Sequence, residues 1–481
     1  MKKISQSLKV NILFIVIVAS LITAALLVNG IALRLSVRYD LDVDLTAGAL
    51  YEIGSDTKAF LASLDVPVQI YVLSDEGGFS GDRYLIQAKR IIDQYPRFSG
   101  NITLEYVDYA TNPLFAVNYP ELALAHGDII VQGTESYRHI PGVNLFNFSM
   151  QHDGGLSIIS SRAEEALTSA IVNVIGGEMP KIALLTGNGT SGASLFASLL
   201  VDNNFEVLPV SLANAELSEF DAALLSLPTI DLSESAIRSI EAFLYNDGLY
   251  GKTLLYTAGA AQGALPNLDM FLSEWGVRFS DGAVFETSAE RTYQFQPYYP
   301  TVSYADGRYF DMLRDRSMPF LMPLARPMEL LFTVGDGYFV ETLLYFSDTS
   351  GVRPADAGED FTAEHATIRG PLPALVVSGF HAAAPDGTQQ RSTIIVSSST
   401  GIFETIALQN TSLNNAEFLL NLLGDLIDRD DIINIHPTSL EGRTLGITSS
   451  QASTLGVILV GIIPLAILLT GVAVWLVRRF K

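Results

Sequence analysis

Gly187-Asn188-Gly189-Thr190-Ser191-Gly192 has the spacing G-x-G-x-x-G and lies between a strand-like and a helix-like run. Such a turn lets backbone N–H groups and a helix N-terminus approach a pyrophosphate. A dinucleotide site also requires an acidic side chain about 20 residues further on, to hold the ribose. Val210 and Ser211 stand there, so the motif reads as a tight strand-to-helix turn. Gly251-Lys252-Thr253 has the ending of a phosphate-binding loop, but the opening glycine is replaced by Asn246. The segment also leads into a strand, where a phosphate loop would lead into a helix. No G-x-S-x-G elbow is present to carry a serine nucleophile. The six histidines, at 126, 139, 152, 365, 381 and 436, lack metal-ligand spacing. Asp425, Asp428, Asp430 and Asp431 offer carboxylates for Ca²⁺ without the spacing or the glycine of a calcium loop. The chain has no cysteine, which excludes disulfides, thiol catalysis and cysteine-held metals. The residues thus give no catalytic set, no cofactor site and no metal site.

The elements that would position these residues alternate strand and helix. Residues 35–150 read as a βαβ unit: a strand at Val66–Leu73, a helix at Tyr84–Tyr95, and strands at Ile102–Val107 and Asp128–Val131. Their size and order suggest a thioredoxin-like unit without Cys-x-x-Cys. A helix follows from Arg162 to Val174, ended by Gly176-Gly177. Residues 151–452 form a second α/β domain. Its clearest part runs through strand Lys181–Thr186, helix Ala193–Asp202, strand Phe205–Val210, strand Ala222–Ser226, a helix capped by Ser233, and strand Thr253–Tyr256. That order predicts a doubly wound parallel sheet. Residues 285–370 show weak periodicity and read as a loop-rich insertion, long loops with short strands. Leu372–Ser378 and Thr393–Ser398 read as strands, and Asn415–Ile427 as an apolar helix.

Both ends are apolar. The runs 10–33 and 455–477 carry no charge, and a bilayer core about 30 Å thick needs roughly 20 apolar residues in a helix. Two transmembrane helices are therefore expected. The first run is too long for a signal peptide and lacks a small-x-small cleavage site. Lys2, Lys3 and Lys9 in the segment 1–9, and Arg478, Arg479 and Lys481 in the tail 478–481, place both termini in the cytoplasm. Arg34 and Arg38 run against this orientation. The seven basic residues outside 35–452 leave 22 basic against 52 acidic side chains within it, a net charge of −30. Such a surface repels nucleic acid. The expected location is the cell membrane, in two passes, with the large domain outside the cytoplasm. The lack of cysteine points to a bacterial source.

Taken in order, these segments resemble the GldG-like family of gliding-motility-type ABC-transport auxiliary proteins. Asp44-Leu45-Thr46 through Tyr51-Glu52-Ile53-Gly54 is similar to the family's D-L-T…Y-S-L-S opening. Leu64-Asp65-Val66-Pro67-Val68 resembles its L-d-x-P-V strand start, and Glu105-Tyr106-Val107-Asp108 its y-x-x-i-D strand. Glu165–Ile171 resembles its E-x-x-l-t-s-A-I helix, Lys181–Gly189 its k-I…l-t-G-H-G-E turn, and Leu324-Ala325-Arg326-Pro327 its A-R-x-l step. Asn415–Leu423 and Ile463-Pro464…Arg478-Arg479 complete the pattern. Asn188 and Thr190 stand where the family has His and Glu. The resemblance implies a second domain like class I glutamine amidotransferases in fold, without their cysteine nucleophile. It implies a non-catalytic accessory subunit of an ABC transporter, anchored in membrane lipid beside a separate permease and a cytoplasmic ATPase. An unrecognised or degenerate hydrolase of envelope polymers is the alternative.

Overall fold

The computed structural model describes residues 50–427, apart from 76, 78–82, 109–110, 151–155, 177–178 and 384–388. It also describes residues 438–440 and isolated helical positions near the ends: Phe14, Val18, Ser20, Thr23, Ala24, Leu27, Gly471, Trp475 and Arg479. Among the described residues no helix is long and apolar enough to cross a membrane. The runs 10–33 and 455–477 lie almost wholly outside the described residues, as do residues 44–49 of the family-like opening. The chain divides into two units, Met1–Ser439 and Leu440–Lys481. In the second unit the Arg479 guanidinium lies 4.9 Å from the Trp475 ring centre, one helical turn away.

The first unit is a mixed α/β structure with parallel strands in two of its sheets. Helix α1 (Ser55–Ser63) leads to β1 (Val68–Val72), α2 (Arg83–Ile92) and β2 (Ile102–Tyr106). β1 and β2 pair in parallel across the α2 crossover. β3 (Ile129–Gln132) runs antiparallel to β1, and β4 (Tyr137–Ile140) antiparallel to β3, giving the order β2-β1-β3-β4. β1 alternates buried and half-buried residues because only one of its faces is fully covered. β5 (Phe146–Met150) pairs with β6 (Leu156–Ser161), so the sequence division at 150 falls inside a paired set. Helix α3 (Ala163–Ile175) packs on β3, β4 and α2. The N-terminal layer therefore draws on residues up to Ile175. Glu164 ties α1 to α3: it accepts from Gly54 N at 2.7 Å and Thr57 Oγ1 at 2.6 Å. The half-buried Arg162 joins the two layers, bonding Glu165 at 3.0 Å and Asp202 at 2.6 Å.

The larger layer begins with β7 (Lys181–Thr186), α4 (Ser194–Asp202), β8 (Glu206–Ser211) and β9 (Ala222–Ser226). Helix α5 (Glu234–Tyr245), β10 (Thr253–Thr257) and α6 (Pro266–Glu274) follow. All five residues of β9 and of β10 are buried, as expected of strands covered on both faces. β8 lies at the sheet edge, where Pro209 leaves no ladder bond missing. Ser233 caps α5 by accepting from Ala236 N at 3.2 Å.

Residues 285–370 supply much more strand than their weak periodicity suggests. After β11 (Val277–Phe279) and β12 (Ala283–Glu286) come β13 (Thr301–Tyr304), β14 (Phe320–Leu321), β15 (Met328–Leu330) and β16 (Val334–Gly335). β17 (Tyr338–Tyr345) and β18 (Ser350–Arg353) complete the insertion. β19 (Pro373–Ala383) and β20 (Gln389–Ser397) precede α7 (Asn415–Leu426), and β21 (Thr438–Ser439) pairs with β6. The large sheet has ten strands in the order β14-β13-β17-β19-β20-β10-β9-β7-β8, with β16 on β17. The expected parallel sheet is parallel only from β20 to β8; from β19 to β14 it is antiparallel. Register shifts along β17 at Thr342, Leu344 and Tyr345 break the two-residue alternation that would have marked it in the sequence.

Helices cover both faces of this sheet. On one face Phe196 and Leu200 of α4 and Phe418 and Leu422 of α7 pack on Leu224 and Leu255. On the other, Ile240 and Phe243 of α5 and Phe271 of α6 pack around Leu225 and Tyr256. Phe196 stacks on Phe403 with ring centres 4.4 Å apart.

Candidate functional site

The parallel half has the order β8-β7-β9-β10-β20, so the chain moves outward in opposite directions from β7 and β9. In open α/β sheets ligands bind at that switch point, beyond the carboxyl ends of the strands. The Gly187–Gly192 turn lies there. Every parallel strand ends there on a hydroxyl residue: Thr186, Ser211, Ser226, Thr257 and Ser397.

The turn is built by left-handed backbone at Gly187, Asn188, Gly189 and Gly192. Glycine is needed at two of these positions for space as well as for φ. A Cβ on Gly189 would collide with the Thr229 side chain, and one on Gly192 would come 2.8 Å from Thr400 Cγ2. The turn then closes on its own chain. Asn188 O accepts from Thr229 N and Ile230 N, both at 2.9 Å, and Asn188 Nδ2 donates to Asp231 O at 2.7 Å.

Behind the turn the hydroxyls satisfy one another. Ser226 Oγ donates to Ser191 O at 2.7 Å, Thr257 Oγ1 donates to Ser226 Oγ at 3.2 Å, and Thr400 Oγ1 bonds both Ser226, at 3.0 Å, and Thr257. Each of the three protons has an acceptor within the protein, and Ser226 and Thr257 are buried. A second layer supports them. Gln262 accepts from the buried Tyr256 hydroxyl at 3.1 Å and donates to Pro228 O at 2.7 Å. The Arg326 guanidinium, buried beside it, bonds Ser280 O at 3.2 Å and Asp281 at 2.9 Å, with Phe279 5.7 Å away. Burial pushes the Tyr256 hydroxyl well above its ordinary value, so it stays a neutral donor. Chemically this is a filled crevice. The hydroxyls at the turn are neutral and hydrogen-bonded, the Arg326–Asp281 ion pair lies behind them, and the acid expected at Ser211 is absent.

The other sequence-level candidates are dispersed. Lys252 precedes β10 and donates to Phe220 O at 2.5 Å, while Asn246 takes the left-handed cap of α5. His139 bonds Asp128 at 2.8 Å, His126 lies 3.4 Å from Ser74 Oγ, and His381 stacks on Phe339. Positions 152 and 436 lie outside the described residues. Asp425 pairs with Arg308 at 2.6 Å, and residues 428–431 lie outside the described residues. Among the described residues no group of three or more metal-ligating side chains occurs. The sequence reading found the turn but not the hydroxyls of Ser226, Thr257 and Thr400. The signal was a wholly buried run ending in Ser or Thr, at Ala222–Ser226 and again at Thr253–Thr257.

No protein-family model matches the chain, and no curated protein matches it. Solved structures align with parts of the chain. The N-terminal domain of mmIFT52 is 12% identical, with a TM-score of 0.38, over 53% of this chain and 100% of that domain. A GMP synthase component from Thermoplasma acidophilum is 11% identical, with a TM-score of 0.27, over 53% of this chain and 96% of its own. PurLQS from Thermotoga maritima is 12% identical, with a TM-score of 0.27, over 52% of this chain and 99% of its own.

Proposed function

We propose that the chain is a non-catalytic accessory subunit of an ABC transporter, of the GldG-like kind. In this reading the apolar runs 10–33 and 455–477 anchor it in the cell membrane with both termini in the cytoplasm. The α/β domains lie outside, a thioredoxin-like unit followed by an amidotransferase-like one, and the partners are a separate permease and a cytoplasmic ATPase. The observation that carries the non-catalytic part is the filled crevice at the switch point. A ligand there would have to displace the paired hydroxyls of Ser226, Thr257 and Thr400 and open the half-buried Asn188–Asp231 closure, and breaking the bonds of Ser226 or Thr257 leaves a buried group unsatisfied. The ordered resemblance from Leu64 to Leu423, together with the basic residues outside both apolar runs, supports the partners and the orientation.

Co-purification of the full chain from its native membrane in mild detergent tests this. A multi-spanning permease and an ATPase should be recovered with it. Recovery of neither, or saturable binding of ATP or NAD that is lost in Gly189→Val, would overturn the reading.

A further inference from the structure

At the opposite end of the parallel strands the side chains are large and aromatic. Tyr245 ends α5, and the chain returns to β10 through Asn246, Asp247, Gly248, Tyr250 and Gly251, all left-handed. This conformation is costly for a bulky residue such as Tyr250. It sets the Tyr250 ring edge-to-face on Tyr245, with centres 5.6 Å apart. The row continues from Tyr250 to Phe380 at 5.6 Å, from Phe380 to Tyr338 at 4.8 Å, and from Tyr338 to Trp275 at 5.3 Å. These contacts are edge-to-face or tilted, so the rings do not cover one another face to face. The row runs from the buried Trp275 to Tyr245, which is 55% exposed.

Two carboxylates flank it. Glu241 lies one helical turn before Tyr245 on α5, and Glu274 directly precedes Trp275 at the end of α6. Both are exposed. Among the described residues neither enters an ion pair; Arg238, the cation on the same helix, pairs with Glu234 at 3.4 Å. Partial burial and then the Glu274 charge hold the Glu241 carboxyl above its ordinary value, with Arg238 acting in the other direction. Burial, followed by Glu274, Tyr250 and Glu241, raises the Tyr338 hydroxyl. The two carboxylates thus place negative charge beside neutral rings. The cation–π pairs of the neighbouring core lie on other rings, Lys252 on Phe243 and Arg326 on Phe279.

We propose that this aromatic row, flanked by Glu241 and Glu274, is a binding site for an organic cation, an alkylated ammonium or a guanidinium group. Ring faces attract cations whose hydration is weak enough to give up, which favours these groups over sodium. The paired carboxylates supply the long-range attraction, and the strained loop holds Tyr245 and Tyr250 in place before a ligand arrives. The site lies at the other end of the sheet from the switch point and does not depend on the accessory-subunit reading.

The experiment is calorimetric titration of the full chain in nanodiscs. The probes are tetramethylammonium chloride and N-acetyl-arginine amide, with sodium chloride and tert-butanol as a charged and a neutral control. Saturable binding of either organic cation is expected, and the tighter of the two identifies the source as a small quaternary amine or a protein-borne arginine. Tyr245→Leu should weaken binding about fivefold. The double variant Glu241→Gln, Glu274→Gln should weaken it at least as much. All three side chains are exposed, so neither variant should melt appreciably below the parent. Saturation by neither cation, equal binding of tert-butanol or sodium, or unchanged affinity in both variants would overturn the proposal.

Discussion

At the carboxyl ends of β9 and β10 the side chains are small hydroxyls, Ser226 and Thr257, buried and bonded to each other and to Thr400. At the amino ends, around the loop 246–251, they are rings and exposed carboxylates. The first end occupies the place where this architecture ordinarily receives a ligand, yet its Ser226, Thr257 and Thr400 hydroxyls are satisfied internally. The second has no such architectural role and holds negative charge beside exposed ring surface. Strand order indicates where a crevice forms. Whether the crevice is available depends on how many of its polar groups are already bonded within the protein.

The contrast is tested most severely at Gly189. Gly189→Val places a β-branched residue at φ +69° against Thr229 and should cost about 3 kcal/mol. The check is the urea midpoint of the full chain in nanodiscs; a midpoint equal to the parent's would mean that the turn is not closed on Thr229. Next in size is Ser226→Ala, which leaves Ser191 O and Thr257 each short of a partner and should cost about 1–2 kcal/mol. Combined with Thr257→Val, the loss should be smaller than the sum of the single losses, because the two share one bond. Strict additivity in urea unfolding would show that the hydroxyls are not a network.

At the amino end the effects on stability should be small. Tyr245→Leu, at a position 55% exposed, should change the unfolding free energy by no more than about 0.5 kcal/mol. A loss as large as that of Ser226→Ala would make Tyr245 a structural residue. The smallest effect is expected at Glu241. Its folded pKa is raised, so its contribution to stability is full below the unfolded value, near 4.5, and falls as pH rises through the folded value. Glu241→Gln should therefore raise the melting temperature slightly at pH 7 and leave it unchanged below pH 4.5. A variant less stable than the parent at pH 7 would show that the carboxylate is not repelled there.

Much of the parallel half was legible in the residues. Lys181–Thr186 and Ala222–Ser226 are strands over those residues, and the Ser233 cap begins the expected helix, because continuous apolar runs, capping hydroxyls and turn glycines are local signals. The loss of dinucleotide chemistry could also be read locally, from Val210 and Ser211. The sequence alone further determined the acidic balance of residues 35–452 and the charge-free runs at both ends. Only the tertiary structure decided that residues 285–370 enter the large sheet. Their strands are short, shifted in register at β17, and paired with segments distant in the chain, so no local period marks them. It also decided that β6 and α3 join the N-terminal layer past residue 150. Thr400 meets Ser226 across 174 positions, and Phe380 meets Tyr250 across 130. Such contacts form where the sheet brings together the ends of separate strands, and neither spacing nor composition encodes which ends will meet.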